Sequence, residues 1–168
     1  MPGFHQGLVI IPGTERQLGA YGLFRPSASQ RDVLDLPSGP LAAKGTDPDM
    51  LWASFAELCG PTRSTPDYLL LAGRFPAWVV DGIPSPSAAS VASTADWERF
   101  LALLDVLRER EITPFLIAPG PLGSHVGETP GGVPEDLAAV LSLIEERLSV
   151  LRRIESDEQL ADEQSAGC

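Results

Sequence analysis

The feature that most constrains the fold is a pair of short apolar segments separated by one amphipathic stretch. Residues 78–80 read Trp-Val-Val and residues 114–118 read Pro-Phe-Leu-Ile-Ala, and such runs are typical of buried strands. Between them, apolar residues recur at helical spacing and predict a helix over 94–110: Trp97, Phe100, Leu101, Leu104 and Leu107. A strand, a helix and a second strand of these lengths form a parallel βαβ unit, and its crossover is expected to be right-handed. The sequence therefore predicts an α/β fold with a small, mostly parallel sheet.

Further elements are expected to flank this unit. Residues 7–11 predict a short strand, and residues 64–73 predict a helix with a proline in its first turn. Four apolar residues fit one face of a further short helix: Leu51, Trp52, Phe55 and Leu58. A last helix is expected after Pro134, and it carries an apolar stripe: Leu137, Leu141, Ile144, Leu148 and Leu151. This stripe can pack onto the sheet or form a seam with a partner, and with only two heptads present we expect it to pack onto the sheet.

Segments rich in proline and glycine separate these elements. Most of residues 14–49, together with residues 83–93 and 119–134, is expected to form loops. The chain accordingly divides into three parts, namely a short strand with a Pro/Gly-rich segment over 1–49, an α/β domain over 50–154 and an acidic flexible tail over 155–168.

The charge balance excludes several classes of function. The 168 residues carry 12 basic and 23 acidic side chains, for a net charge of −11. Nucleic acid is not an expected partner, because its binding requires a cationic face. No apolar run approaches the ~18 residues of a membrane-spanning helix, and no basic signal segment opens the chain. Cys59 and Cys168 form no zinc or disulfide pattern, so a cytoplasmic location is expected.

The single lysine of the chain tests for a phosphate-binding P-loop, which requires the pattern Gly-x-x-x-x-Gly-Lys-Ser/Thr. Around Lys44, the two glycine positions hold Ser38 and Ala43, and Gly45 stands where Ser or Thr is needed. The sequence therefore contains no P-loop, and we expect no bound cofactor and no ATP hydrolysis by this chain alone.

Asp81 follows an apolar strand, as do the carboxylates that hold magnesium in nucleotide hydrolases. The usual acidic neighbour is replaced by Gly82, so the preferred interpretation is a strand end followed by an Asp-Gly turn. The two histidines are far apart in sequence and lack the spaced ligands that are typical of a zinc site, so no metal site is predicted.

A nucleophilic enzyme is the alternative class, with Ser124, His125 or Cys59 acting at the strand ends. No Gly-x-Ser-x-Gly elbow surrounds the serine, and Cys59 follows an apolar helical turn. Cys59 is therefore interpreted as a small core residue rather than a nucleophile.

Six short segments between residues 52 and 107 resemble, in order, the C-terminal portion of the ZapE-type AAA ATPases, which are bacterial cell-division ATPases with mitochondrial relatives. The segments are Trp52-x-x-Phe55-x-x-Leu58-Cys59, Pro61 with Asp67-Tyr68-Leu69-x-Leu71-Ala72, Phe75 with strand 78–80, Ile83-Pro84, Arg99-Phe100, and Leu104-Asp105-x-Leu107.

The resemblance implies a family that uses ATP and magnesium through a P-loop half that this chain does not contain. Of the family's paired arginines only Arg99 remains, because Glu98 stands in the first position. In this frame Arg99 would contribute a cation to a nucleotide held by a partner chain, and no catalytic or metal-binding residue is implied. The other interpretation of Arg99 is a solvent-facing or snorkelling side chain.

Three hypotheses of function follow. The first is a truncated or separately encoded C-terminal region of a ZapE-like, cell-division-associated ATPase. Such a region would be non-catalytic alone and would bind a protein, such as the ATPase half of its own family, with oligomers possible. The second is a small hydrolase-like enzyme that uses the Ser/His/Cys loop site. The third is an inactive remnant of an ATPase.

Overall fold

The structure, a computed structural model, describes residues 3–47, 49–84, 93–119 and 135–155. Its strands are β1 (Leu8–Ile10), β2 (Asp32–Leu36), β3 (Gly39–Ala43), β4 (Gly45–Asp47), β5 (Met50–Ser54), β6 (Ala77–Asp81), β7 (Thr113–Ile117) and β8 (Arg152–Ile154). Its α-helices are α1 (Glu15–Ala20), α2 (Phe55–Leu58), α3 (Thr65–Ala72), α4 (Thr94–Glu109) and α5 (Glu135–Leu148). Single 3-10 turns span Phe4–Gln6 and Ala28–Gln30.

Six of these strands form one sheet in the order β4-β5-β6-β7-β1-β8. Neighbouring strands are parallel except β4 and β5, which are antiparallel. The remaining pair, β2 and β3, forms a separate antiparallel hairpin. A mostly parallel sheet with flanking helices confirms the predicted α/β class.

The two faces of the sheet pack against different elements. On one face, alternate strand residues such as Leu51 and Val80 join the large core cluster, which also holds the apolar sides of α3, α4 and α5. On the other face, Trp52 and Val79 join a smaller cluster with Leu18 of α1. Because side chains alternate along a strand, an apolar run such as that of β6 supplies both cores.

The βαβ unit is confirmed. β6 and β7 are adjacent and parallel, and α4 connects them along the chain. Ser93 caps α4 with a reciprocal pair of hydrogen bonds to Asp96, which satisfies two of the free donors at the helix start. The apolar side of α4 is buried: Trp97, Phe100, Leu103, Leu104, Val106 and Leu107. The handedness of the crossover stays a prediction.

The flanking elements largely agree with the sequence. The predicted first strand is β1, and the helix predicted over 64–73 is α3, with Ser64 as its N-cap. The last helix is α5, and its apolar stripe lies in the large core cluster. Inward packing of that stripe is therefore confirmed.

The prediction of loops over most of residues 14–49 is wrong. This segment contains α1, the β2–β3 hairpin and β4. The prolines that suggested loops are compatible with the hairpin: Pro37 lies in its turn, and Pro40 lies in a strand with one partner. Proline is tolerated at such edges, because the missing N–H leaves no central ladder position unpaired.

The helical face predicted from Leu51 to Leu58 is also wrong in its first half. Met50–Ser54 is strand β5, and only Phe55–Leu58 is helical. Leu51 and Trp52 are both buried, but in the two different core clusters. When a segment is buried on both sides, the spacing of its apolar residues does not distinguish a strand from a helix.

Three predictions fall mainly outside the described residues. The connector over 83–93, the loop over 119–134 and the tail over 155–168 are described only at residues 83–84, 93, 119 and 155. The three-part division of the chain stays a prediction, although β1 lies within the sheet between β7 and β8. Among the helices of the described ranges, none is both long and apolar enough to cross a lipid bilayer.

Candidate functional site

The candidate site lies at the carboxyl edge of the parallel strands, where ligands of open α/β sheets bind. Asp81 is the last residue of β6, and Gly82 follows it with φ 65°. This positive φ favours glycine. The chain then stays beside β7, because the backbone N–H of Ile83 donates to the Ile117 carbonyl at 3.4 Å. The prediction that a strand ends at Asp81 is confirmed, whereas residues 82–84 are irregular and do not form the predicted Asp-Gly turn.

The carboxylate of Asp81 is the centre of a buried polar cluster. Its Oδ2 accepts hydrogen bonds from Lys44 Nζ at 2.7 Å and from Trp52 Nε1 at 2.9 Å. Asp81 is 4% exposed, whereas the Lys44 side chain is 45% exposed. A buried carboxylate requires such partners, because moving its charge out of water costs several kcal/mol. Removing one partner of a fully buried ion pair lowers stability by ~3–5 kcal/mol.

The other carboxylate oxygen of Asp81 is left without a partner. Oδ1 is buried and accepts no hydrogen bond from any residue that the structure describes. Native proteins pair nearly all such atoms, so an unpaired buried oxygen often marks a place where a ligand or water donates.

Backbone pairing brings the cluster together. Lys44 directly precedes β4, and its backbone N–H donates to the Trp52 carbonyl at 2.7 Å. Trp52 lies on β5, which is the neighbour of β6. Lys44 and Asp81 are thus 37 residues apart in sequence and in direct contact across three strands.

A cavity of ≈190 Å³ opens beside this cluster. Its lining includes Asp81, Lys44, Trp52 and two arginines, Arg25 and Arg31. The Arg25 guanidinium donates to the Gly13 carbonyl at 2.8 Å, which holds it against the segment that joins β1 to α1. The cavity therefore combines three cations with one carboxylate, and neither a histidine nor a cysteine is part of its lining. Such a set of groups can bind an anionic ligand.

Arg99 lies at a second polar cluster, on the other side of the sheet. Its Nε donates to the Cys59 carbonyl at 2.9 Å, and its Nη2 forms an ion pair with Asp96, one turn earlier on α4. Burial opposes ionisation of Asp96, but the hydrogen bonds from Ser93 and Arg99 outweigh it and lower the pKa of Asp96. The Arg99 side chain is 21% exposed and is tied to α2 rather than free in solvent.

Cys59 belongs to the core, as the sequence indicated. It is buried as a free thiol, and desolvation raises its pKa far above the ordinary value despite the nearby Arg99. A thiol in this state is not a nucleophile at neutral pH. The hydroxyl of Tyr68, close by, donates to the Leu58 carbonyl at 2.7 Å, and burial raises the pKa of Tyr68 as well.

The other sequence candidates have different outcomes. Ser124 and His125 lie outside the described residues. Within the described ranges, no group of three His, Cys, Asp or Glu side chains could hold a metal ion. The contact of Lys44 with Asp81 was not foreseen, because the only signals were a strand-terminal acid and a single lysine. The role of Arg99 toward a partner's nucleotide stays a prediction.

Comparison with known families locates the chain among its relatives. The family model of the AFG1-like ATPases matches residues 15–131, which is 117 of the 168 residues. The chain belongs to the AFG1-like ATPase family. No curated protein and no solved structure matches it.

The match to the AFG1-like ATPases includes both polar clusters, since Arg25, Lys44, Asp81 and Arg99 all lie within residues 15–131. The resemblance seen in the sequence is thereby confirmed at the level of the AFG1-like family.

Proposed function

We propose that this chain is a non-hydrolysing member of the AFG1-like ATPase family that acts by binding a protein partner. The observation that carries the proposal is the position of its only lysine. Lys44 Nζ lies 2.7 Å from Asp81 Oδ2, whereas a P-loop lysine must reach the β- and γ-phosphates of a nucleotide. The two positions that glycines occupy in a P-loop hold Ser38 and Ala43 in this chain.

The partner we propose is a P-loop-containing ATPase of the same family. Such a protein would supply the phosphate-binding loop and the magnesium ligands that this sequence lacks. The ZapE-like character of the chain, its association with cell division, a cytoplasmic location and its origin as a separate C-terminal region belong to the same proposal. Their support is the ordered set of segments between residues 52 and 107.

Arg99 is the residue that we propose to act on the partner's nucleotide. The hydrogen bond from Arg99 to the Cys59 carbonyl already orients the guanidinium. Arg99 therefore loses less side-chain entropy on binding a phosphate than a freely rotating arginine would. A planar guanidinium can also stabilise the charge that develops on a transferring phosphoryl group.

The first experiment measures phosphate release from ATP and Mg²⁺ by the purified chain alone. We expect none above the level of a buffer control. Hydrolysis that persists through repeated purification would contradict the proposal, because the sequence around Lys44 does not form a P-loop.

The second experiment adds the chain to a purified family member that contains a P-loop. We expect a complex in analytical ultracentrifugation and a higher rate of ATP hydrolysis. The variant Arg99→Lys should form the complex but lose the stimulation, because lysine cannot reproduce the guanidinium fork. Arg108→Lys, on the exposed side of α4, is the matched control. Absence of a complex would favour the inactive remnant, and full stimulation by Arg99→Lys would exclude the role of Arg99.

A further inference from the structure

The cavity beside Asp81 has a composition that the proposed function does not explain. It lies on the sheet face of Trp52, whereas α4 and Arg99 lie on the opposite face. A protein partner at Arg99 would therefore not use it. We propose that this cavity binds a small phosphate monoester that carries a hydroxyl group next to its phosphate.

The charge of the cavity favours an anion. Arg25, Arg31 and Lys44 contribute +3 and Asp81 contributes −1, so the lining carries +2 in a chain whose net charge is −11. Three of the 12 basic residues of the chain meet at this one place. A concave site lined by one sign of charge raises the local concentration of the opposite ion.

The three cations differ in whether their side chains already have hydrogen-bond partners, and this difference indicates where the phosphate would lie. Arg25 is held by the Gly13 carbonyl, and Lys44 is held by Asp81. The guanidinium of Arg31 makes no hydrogen bond or ion pair to any residue in the described part of the chain, and Arg31 is exposed. Two anchored cations and one uncommitted guanidinium can surround a phosphate, and the guanidinium can bind it in a bidentate manner.

The unpaired oxygen of Asp81 specifies the second part of the ligand. Asp81 is more than nine-tenths buried, and it lines the cavity with its Oδ1 unpaired among the described residues. An ionised carboxylate only accepts hydrogen bonds, so the complementary group is a donor such as a hydroxyl. The only O–H of dianionic inorganic phosphate lies on the phosphorus itself, whereas a phosphate monoester of a polyol has a separate hydroxyl that can reach Asp81 while the phosphate meets the cations.

The size of the cavity sets the class of ligand. At ≈190 Å³ it is smaller than the ~300–1,000 Å³ typical of drug-sized ligand sites. A ligand of about the size of a three-carbon phosphate is therefore expected, and polymers and large nucleotides are not.

Isothermal titration of the full chain with three probes tests the proposal. The probes are glycerol 3-phosphate, inorganic phosphate and glycerol. We expect glycerol 3-phosphate to bind about tenfold more tightly than inorganic phosphate, which is the effect of one added hydrogen bond to a charged group. Glycerol alone should produce no heat of binding.

The variant Arg31→Gln tests the phosphate contact. It should weaken glycerol 3-phosphate binding about tenfold or more, because one charge-assisted pair is lost. Arg31 is exposed and makes no side-chain contact of this kind in the described residues, so the thermal midpoint should not change. Arg108→Gln removes the same charge from a distant helix and should leave the affinity unaltered.

Each outcome decides a part of the proposal. Absence of binding by glycerol 3-phosphate, or equal binding by the Arg31→Gln and Arg108→Gln variants, would overturn the site. Equal affinity for inorganic phosphate would overturn the hydroxyl contact with Asp81. None of these results depends on complex formation with an ATPase, so failure here and failure of the proposed function are separate.

Discussion

Two aspartate–cation pairs in this protein differ in origin and in surroundings. Asp96 and Arg99 lie three residues apart on α4, and both side chains are about one-fifth exposed. Asp81 and Lys44 lie 37 residues apart, and their carboxylate is almost fully buried. Local chain geometry suffices for the first pair, whereas the second exists only because β4, β5 and β6 are neighbours.

The difference also concerns how completely each carboxylate is satisfied. Asp96 takes hydrogen bonds from Arg99 and from the backbone N–H of Ser93, and it forms part of a helix cap. Asp81 has one oxygen that is bound twice and one that is unpaired among the described residues. The local pair therefore stabilises a helix terminus, whereas the distant pair leaves one buried acceptor unpaired among the described residues.

The largest expected effect comes from breaking the distant pair. Lys44→Met leaves the buried Asp81 carboxylate without its charge partner and should lower the free energy of unfolding by about 2–3 kcal/mol. This is less than for a fully buried pair, because Lys44 is half-exposed. Urea denaturation measures it, with Arg108→Met as the control for net charge. If the free energies of unfolding of the two variants differ by less than ~0.5 kcal/mol, the Lys44–Asp81 pair contributes no more to stability than an exposed cation does.

A smaller effect is expected at the local pair. Arg99→Ala removes an ion pair that is partly solvated and the hydrogen bond to the Cys59 carbonyl. We expect a loss of about 1–2 kcal/mol by the same urea measurement. Arg108→Ala on the same helix is the control. A loss larger than that of Lys44→Met would reverse the comparison.

The smallest effect is the pH dependence of the local pair. The pKa of Asp96 lies below its unfolded value of 3.8, so its contribution to stability is present above about pH 3.8 and is lost as pH falls through the folded-state pKa. Asp96→Asn keeps an acceptor for Ser93 but cannot titrate. Denaturation midpoints between pH 2.5 and 6 should therefore fall less steeply in the variant than in the wild type. Parallel curves would show that Asp96 has the same pKa in both states.

The elements that sequence reasoning predicted correctly are those with strong local signals. Helix α4 has a cap, an apolar stripe and an exposed charged end within one continuous stretch. Helix α3 has the combination of Ser64, Pro66 and Asp67 at its start. In both cases side chains close in sequence satisfy the helix terminus, so the pattern needs no knowledge of the rest of the fold.

The errors occurred where tertiary burial decides the conformation. The apolar residues Leu51 and Trp52 fit a helical pattern in the sequence, yet they lie in β5 and face different cores. The prolines of residues 37 and 40 predict a loop, but these residues belong to the hairpin of β2 and β3, where an edge strand tolerates proline. Neither outcome is encoded in the segment itself.

The amino-acid sequence alone determined the βαβ unit, the family relationship and the absence of a P-loop around Lys44. Only the tertiary structure decided that this lysine meets Asp81 and that Arg25 and Arg31 line the same cavity. The physical reason is the separation along the chain over which each kind of interaction acts. Helix caps and apolar periodicity act over a few residues, whereas the pairing of distant strands determines which charges share a buried site.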